Sequence, residues 1–193
     1  CITGDSVKAG DQQDAKAVHQ FESVRLLKQI QDFNKGIDPT FGELPDKETS
    51  IYAGAAADPS CRNQKSLENR MRKKKDAGAQ FIQTQMVMER ENLIEFYENI
   101  AKPLEIPVIA GVFLLKSYKN ALFINKNVPG AKIPENILNR LEAAKNPLEE
   151  GIQIAAEQAK DFFHIANGIH LMAVKAEHLI PEILEKADLS LEY

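Results

Sequence analysis

The ten residues Asp76 to Gln85, DAGAQFIQTQ, decide the fold. They follow a basic run, Lys73-Lys74-Lys75, of the kind that suits the last turn of a helix, where cations meet the negative end of the helix dipole. Gly78 supplies a turn. Phe81-Ile82-Gln83-Thr84 then reads as a short buried strand, with Gln85 at its end. A helix that turns at Ala-Gly-Ala straight into a strand is the junction of an alternating α/β protein. In closed barrels of that class the chemistry gathers at the C-terminal ends of the strands, which is where Gln85 falls.

Working outward, the same unit recurs. Cys1-Ile2-Thr3 reads as the end of a strand with Gly4-Asp5 as its turn, and Ser6 to Gln20 as a polar loop. Val24, Leu27 and Ile30 recur at helical spacing over Glu22 to Phe33. Ile37 to Ser50, with two prolines and a glycine, reads as an irregular excursion. Ile51 to Ala56 is a strand whose small residues imply that something packs closely over it. Helices are expected over Gln64 to Ala77, Arg90 to Ala101, Ser117 to Asn125, Pro134 to Ala144, Pro147 to Ile165 and His178 to Ala187. Strands are expected over Pro107 to Gly111 and Ile169 to Ala173.

Five strand-then-helix units demand parallel strands joined by right-handed crossovers. They fit an open doubly wound sheet or part of a barrel. No GxGxxG turn of a nucleotide-binding open sheet occurs. A closed eight-stranded barrel takes about 250 residues, so a barrel reading places roughly three units ahead of Cys1.

Composition narrows the functional classes. Of the 193 residues, 44% are hydrophobic and 27% charged, ordinary values for one globular domain. The net charge of −4 gives no reason to expect nucleic acid as a partner. No apolar run approaches the roughly 20 residues of a membrane span. Cys1 and Cys61 form neither a disulfide framework nor a zinc site, which suits a reducing, cytoplasmic setting. The four histidines have no tight ligand spacing, and His170, inside a strand, reads as a core histidine. No GxSxG, Walker A or CxxC motif is present.

An ordered set of motifs resembles the methylenetetrahydrofolate reductase family. It begins with Ile2-Thr3-Gly4-Asp5 and Lys8-Ala9-Gly10-Asp11. It continues through the small-residue strand ending in Asp58-Pro59 and the run Lys73 to Gln85. It closes with Ile106 to Val112, Lys132-Ile133-Pro134, Glu149 to Ile152 and Gly168 to Met172. The nearest flavour is the reductase half of bifunctional proteins that also carry a homocysteine methyltransferase, or the reductases of acetogens. The resemblance implies a (β/α)8 barrel, here its C-terminal part of about five units, that uses FAD to reduce a methylene group on tetrahydrofolate to methyl. NAD(P)H or a reduced protein carrier would supply electrons, and the chain would self-associate or bind a partner subunit.

The resemblance also assigns residues. Asp5 would lie near the flavin and the folate as the catalytic carboxylate, with Thr3 and Gly4 beside it. On spacing alone Asp5 equally reads as a loop or helix cap. Gln85 would hydrogen-bond the pterin, since an amide both donates and accepts. Phe123 or Ile124 would contact folate. Ala53, Gly54 and Lys74 would contact FAD, with Lys74 near its phosphates, while Arg70, Arg72, Lys73 and Lys75 read as a solvated basic face. The family's general-acid glutamate lies on the first strand, which would precede Cys1. Val174-Lys175-Ala176 stands where many relatives read Leu-Asn-Arg, so Lys175 would replace the missing arginine only in part, as a charge without its bidentate fork. A second reading keeps the binding and loses the turnover, as a flavin- or folate-binding relative or accessory subunit. The residue at the first-strand glutamate position separates the two.

Overall fold

The structure, a computed structural model, describes residues 1–2, 7, 12, 14–16, 21–44, 48–128 and 130–189. Its frame is a parallel sheet of four strands in sequential order: β3 (Gly54–Ala57), β4 (Phe81–Met86), β5 (Val108–Phe113) and β6 (Gly168–Met172). A two-stranded antiparallel hairpin, β1 (Ile37–Asp38) and β2 (Gly42–Glu43), stands apart from it. Right-handed crossovers that always step the same way put every connecting helix on one face of such a sheet.

Burial follows that rule. Ile82 and Thr84 of β4, and Val108, Ala110 and Val112 of β5, are buried. Phe81, Gln83, Ile109 and Phe113, which alternate with them, are only half-buried. One face is therefore covered and the other is open. No reversal of strand order, the mark of a doubly wound sheet, occurs among the described strands.

Seven helices complete the described architecture: α1 (Ser23–Phe33), α2 (Gln64–Asp76), α3 (Arg90–Phe96), α4 (Tyr118–Asn127), α5 (Glu135–Ala143), α6 (Pro147–Phe163) and α7 (Ile180–Lys186). Leu27 of α1 and Leu67 and Met71 of α2 pack beneath β3 and β4. Ala155, Ala159 and Phe162 of α6, with Ile183 of α7, pack beneath β5. A third cluster joins α4, α5 and α6 through Ile124, Ile137, Leu141 and Ile154. The sequence dictates the helix ends locally. Asn63 caps α2 by accepting from Ser66 N at 2.9 Å, and Gly78, at φ 101°, makes the turn into β4.

Several expected boundaries shift for identifiable reasons. β3 begins at Gly54, not Ile51, because Asn34 takes both backbone groups of Ile51: its Nδ2 donates to Ile51 O and its Oδ1 accepts from Ile51 N, each at 2.9 Å. The excursion from Ile37 to Ser50 contains the β1–β2 hairpin, its turn held by Thr40 N and Phe41 N donating to Asp38 Oδ1. The helix expected over Arg90 to Ala101 changes to a π turn at Tyr97–Ala101, closed by Lys102 N donating to Tyr97 O. The last helix begins with a 3₁₀ turn, Glu177–Leu179. Cys1 and Ile2 form no strand, although Cys1 N donates to Gly54 O at 2.6 Å along the outer edge of β3. The rest of the expected first strand, and most of the Ser6 to Gln20 loop, lie outside the described residues.

One ion-pair network ties α5 to α6. Arg140 Nε donates to Glu150 at 2.7 Å, while Nη1 and Nη2 donate to Glu157 at 2.7 and 3.2 Å. The Arg140 bond, helped by Gln153, holds the Glu157 carboxyl below its usual range against the opposing effect of burial. A depressed carboxylate stabilises the fold above its ordinary pKa and loses that contribution as pH falls through the depressed value. All three side chains are partly solvated, which limits the network to about 1 kcal/mol. Arg140→Met in the full-length protein should lower the melting temperature by about 2–4 °C at neutral pH. The gap from wild type should close below pH 4.5, the ordinary value for Glu157. Thermal unfolding followed from pH 7 to pH 3 checks this, and a gap that persists in acid would assign the loss to packing.

Candidate functional site

The open face of the sheet is the candidate site. Register places Gly54 beside Phe81, and Ala56 beside Gln83. Gln83 lies opposite Ile109 and Ile109 opposite Gly168; Gly111 and Phe113 lie opposite His170 and Met172. Paired residues of a parallel ladder share a face. The resulting surface carries amide, imidazole, aromatic and thioether groups above a floor of glycine and alanine.

What covers the small residues of β3 is the chain itself. A Cβ on Gly54 would collide with the ring of Phe81. That ring in turn stacks on Tyr52, with centroids 5.6 Å apart and planes 10° apart. The close-packed neighbour expected over this strand is Phe81, and the Tyr52–Phe81 pair forms a flat aromatic platform at one side of the face. Ala53, 5% exposed, belongs to the core, and its N–H donates to Gln80 Oε1 at 2.9 Å.

Gln85 lies inside β4, one residue before its end, and its side chain is exposed. A bulge accompanies it. Gln83 pairs with Ile109 but Met86 pairs with Gly111, so three residue steps on β4 oppose two on β5. Thr84, 4% exposed, sits at the bulge: its hydroxyl accepts from Gly111 N at 2.9 Å and donates to Gln85 O at 2.7 Å. Thr84 and Gly111 fall within the motifs Lys73 to Gln85 and Ile106 to Val112, but the sequence assigned neither a role. The Thr-Gln step after a half-buried strand was the available signal.

Lys74 reaches from α2 to the outer edge of β3, where its Nζ donates to Ala56 O at 2.5 Å. Desolvation, and then the nearby Arg70 charge, push its pKa below the usual lysine value. No carboxylate lies within ion-pair distance of Lys74 among the described residues. At the far rim, Lys116 Nζ donates to Val174 O at 2.9 Å, next to Lys175, which adopts φ 58° while its N–H donates to Glu177. Its own backbone N–H and then that of Lys175 hold the Glu177 carboxyl below its usual range.

The remaining expected residues scatter. Ile124, 4% exposed, is buried in the α4–α5–α6 cluster, whereas Phe123, 61% exposed, faces outward. Thr3, Gly4 and Asp5 lie outside the described residues. A groove of about 550 Å³ opens at the opposite, N-terminal end of the strands, lined by Gln31, Lys35, Lys75 and Gln80 among others. It shares only Ala53 with the residues expected at the site. Among the described residues no cluster of His, Cys, Asp or Glu could hold a metal ion, and no helix is long and apolar enough to cross a membrane.

A family model described as methylenetetrahydrofolate reductase matches residues 1–188. The chain belongs to the methylenetetrahydrofolate reductase family. It is 28% identical over 125 residues to methylenetetrahydrofolate reductase 1 of Schizosaccharomyces pombe, an alignment covering 60% of this chain and 20% of that protein. The chain thus spans about a fifth of the length of that reductase. Among solved structures it is similar to an uncharacterized protein from Clostridium thermocellum that binds two copies of 5-methyl-5,6,7,8-tetrahydrofolic acid. That similarity has a TM-score of 0.54 at 19% identity and covers 70% of this chain and 52% of the other. It establishes a shared α/β fold. For the family member described here, the four parallel strands and their one open face are the observed part of that fold.

Proposed function

We propose that the protein reduces 5,10-methylenetetrahydrofolate to 5-methyltetrahydrofolate with bound FAD, in a closed (β/α)8 barrel of which residues 1–193 supply the C-terminal part. About three units would precede Cys1 in that barrel. The single observation that carries the reading is Gln85: an exposed carboxamide, at a bulge near the C-terminal end of a parallel strand, in a reductase-family chain. A carboxamide donates and accepts at once, as the edge of a pterin requires.

The residues present fit a flavin dinucleotide at one point and not at another. Lys74 is a half-buried cation whose hydrogen bond goes to a neutral carbonyl, so an anionic group such as a diphosphate would complete its pairing. The space above Gly54 is taken by Phe81. Lys74 and the exposed side of Tyr52 are therefore the described residues best placed to hold the cofactor. When bound, FAD supplies the reducing equivalents for the methylene carbon. This chain's own part is to orient the pterin through Gln85 and to present a carboxylate, Asp5, opposite the positive charge that develops when the folate ring opens to an iminium. NAD(P)H or a reduced protein carrier would restore the flavin.

The test uses the full-length protein. After reconstitution with FAD it should be yellow, and the reduced protein should be reoxidised by methylenetetrahydrofolate. Asp5→Asn should slow that folate step about tenfold or more, corresponding to about 1.4 kcal/mol, and slow reduction of the flavin by its donor less. Failure to take up flavin would refute the proposal. Flavin and folate binding without turnover would favour the non-catalytic relative.

A further inference from the structure

We infer that Thr84 and Gly111 are positioning residues that hold the Gln85 peptide at its bulge and thereby set folate affinity; the inference rests on the role proposed above for Gln85. In a parallel ladder with Met86 opposite Gly111, the Gly111 N–H points toward the carbonyl of Gln85, while Val87 N donates to Gly111 O, here at 2.9 Å. The Thr84 hydroxyl joins the first two groups, accepting from Gly111 N at 2.9 Å and donating to Gln85 O at 2.7 Å. A hydroxyl is the small side-chain group that can do both at once. Thr84 and Gly111 are both buried, which shields the bond between them from water, while the bond to Gln85 O is part-buried.

Gly111 acts from the other side of the same peptide. A Cβ at this position would stand 2.7 Å from Gln85 O and 3.0 Å from Gln85 C, and 3.0 Å from the Met172 methyl. Any side chain there pushes the Gln85 peptide off its place. The Gln85 side chain itself is exposed and has no hydrogen-bond partner among the described residues. The point from which it reaches out is set by its backbone, and the backbone is held by Thr84 and by the missing side chain of Gly111. A carboxamide that must meet a heterocycle edge loses contact on a displacement of about 1 Å, which makes this pair a control on affinity without any contact to the ligand.

The test measures the dissociation constant of 5-methyltetrahydrofolate, the KM and kcat for methylenetetrahydrofolate, and the donor-driven rate of flavin reduction, all in the full-length, FAD-loaded protein. Thr84→Val keeps the shape and removes the relay. It should weaken folate binding about fivefold to tenfold and raise KM more than it lowers kcat, with flavin reduction unchanged. Thr84→Ser should restore affinity to within about twofold. The double variant Thr84→Val/Gln85→Ala should bind folate no more weakly than Gln85→Ala alone, since a positioning residue has nothing left to position. Gly111→Ala keeps the hydroxyl and displaces the peptide, so it should reproduce the loss and serves if Thr84→Val does not fold. Full affinity in Thr84→Val or Gly111→Ala, beside a weakened Gln85→Ala, would overturn the inference and leave the role of Gln85 standing. Full affinity in Gln85→Ala would remove the proposed role of Gln85, and this inference with it.

Discussion

Gln85→Ala should weaken folate binding by about 1–3 kcal/mol, roughly 5- to 150-fold, while flavin binding and its spectrum stay as they are. The size follows from the asymmetry of hydrogen bonding. On the proposed reading, the pterin groups that met the carboxamide would remain at a site that a closed barrel shields from water, so their lost partners would not be fully replaced. The fold should tolerate the change. The Gln85 side chain is exposed, and the bonds that hold its strand run through the backbone and through Thr84. Titration calorimetry with 5-methyltetrahydrofolate, beside the melting temperature, separates the two effects. Unchanged affinity would make Gln85 plain strand surface.

The second large effect is on stability. Gly151→Ala should destabilise the protein by about 1–3 kcal/mol, although the same change in an exposed helix interior is favourable by about 1 kcal/mol. The sign is decided by one contact. Gly151 lies near the start of α6, where a Cβ would overlap the backbone carbonyl oxygen of Leu115, just beyond β5. A backbone atom cannot rotate aside, so α6 or the segment after β5 must move. Leu115 is 1% exposed within the cluster that joins α4, α5 and α6, and that cluster would be disturbed as well. Thermal unfolding of the full-length variant should show a loss of several degrees. An unchanged or raised melting temperature would show that α6 has room to spare.

Much of the fold was legible because its signals are local. The turn at Gly78, the helix-ending lysines and the Phe81 strand follow from φ preference, dipole and burial within a dozen residues, and each is found where the spacing predicts it. Periodicity likewise placed Leu67 and Met71, and Ile137 and Leu141, on buried helix faces. The family was legible from motif order, since the match spans residues 1–188. The start of β3 was not, because Asn34, 17 residues away, withdraws Ile51 from the ladder.

The site divides in the same way. That Gln85 carries an amide near a strand end is a property of the sequence. That Ile124 is buried and Phe123 exposed depends on how α4 meets α5, which adjacent apolar residues on a helix do not reveal. What lies over Gly54 could be read only as a close neighbour, since a glycine records that space is needed and not who fills it; the parallel pairing of β3 with β4 brings Phe81 there. The bulge at Gln85 belongs wholly to the tertiary structure. It arises because Thr84, Gln85 and Gly111 meet across two strands separated by a helix, and no periodicity within β4 encodes a hydroxyl that must bridge to a residue 27 positions away.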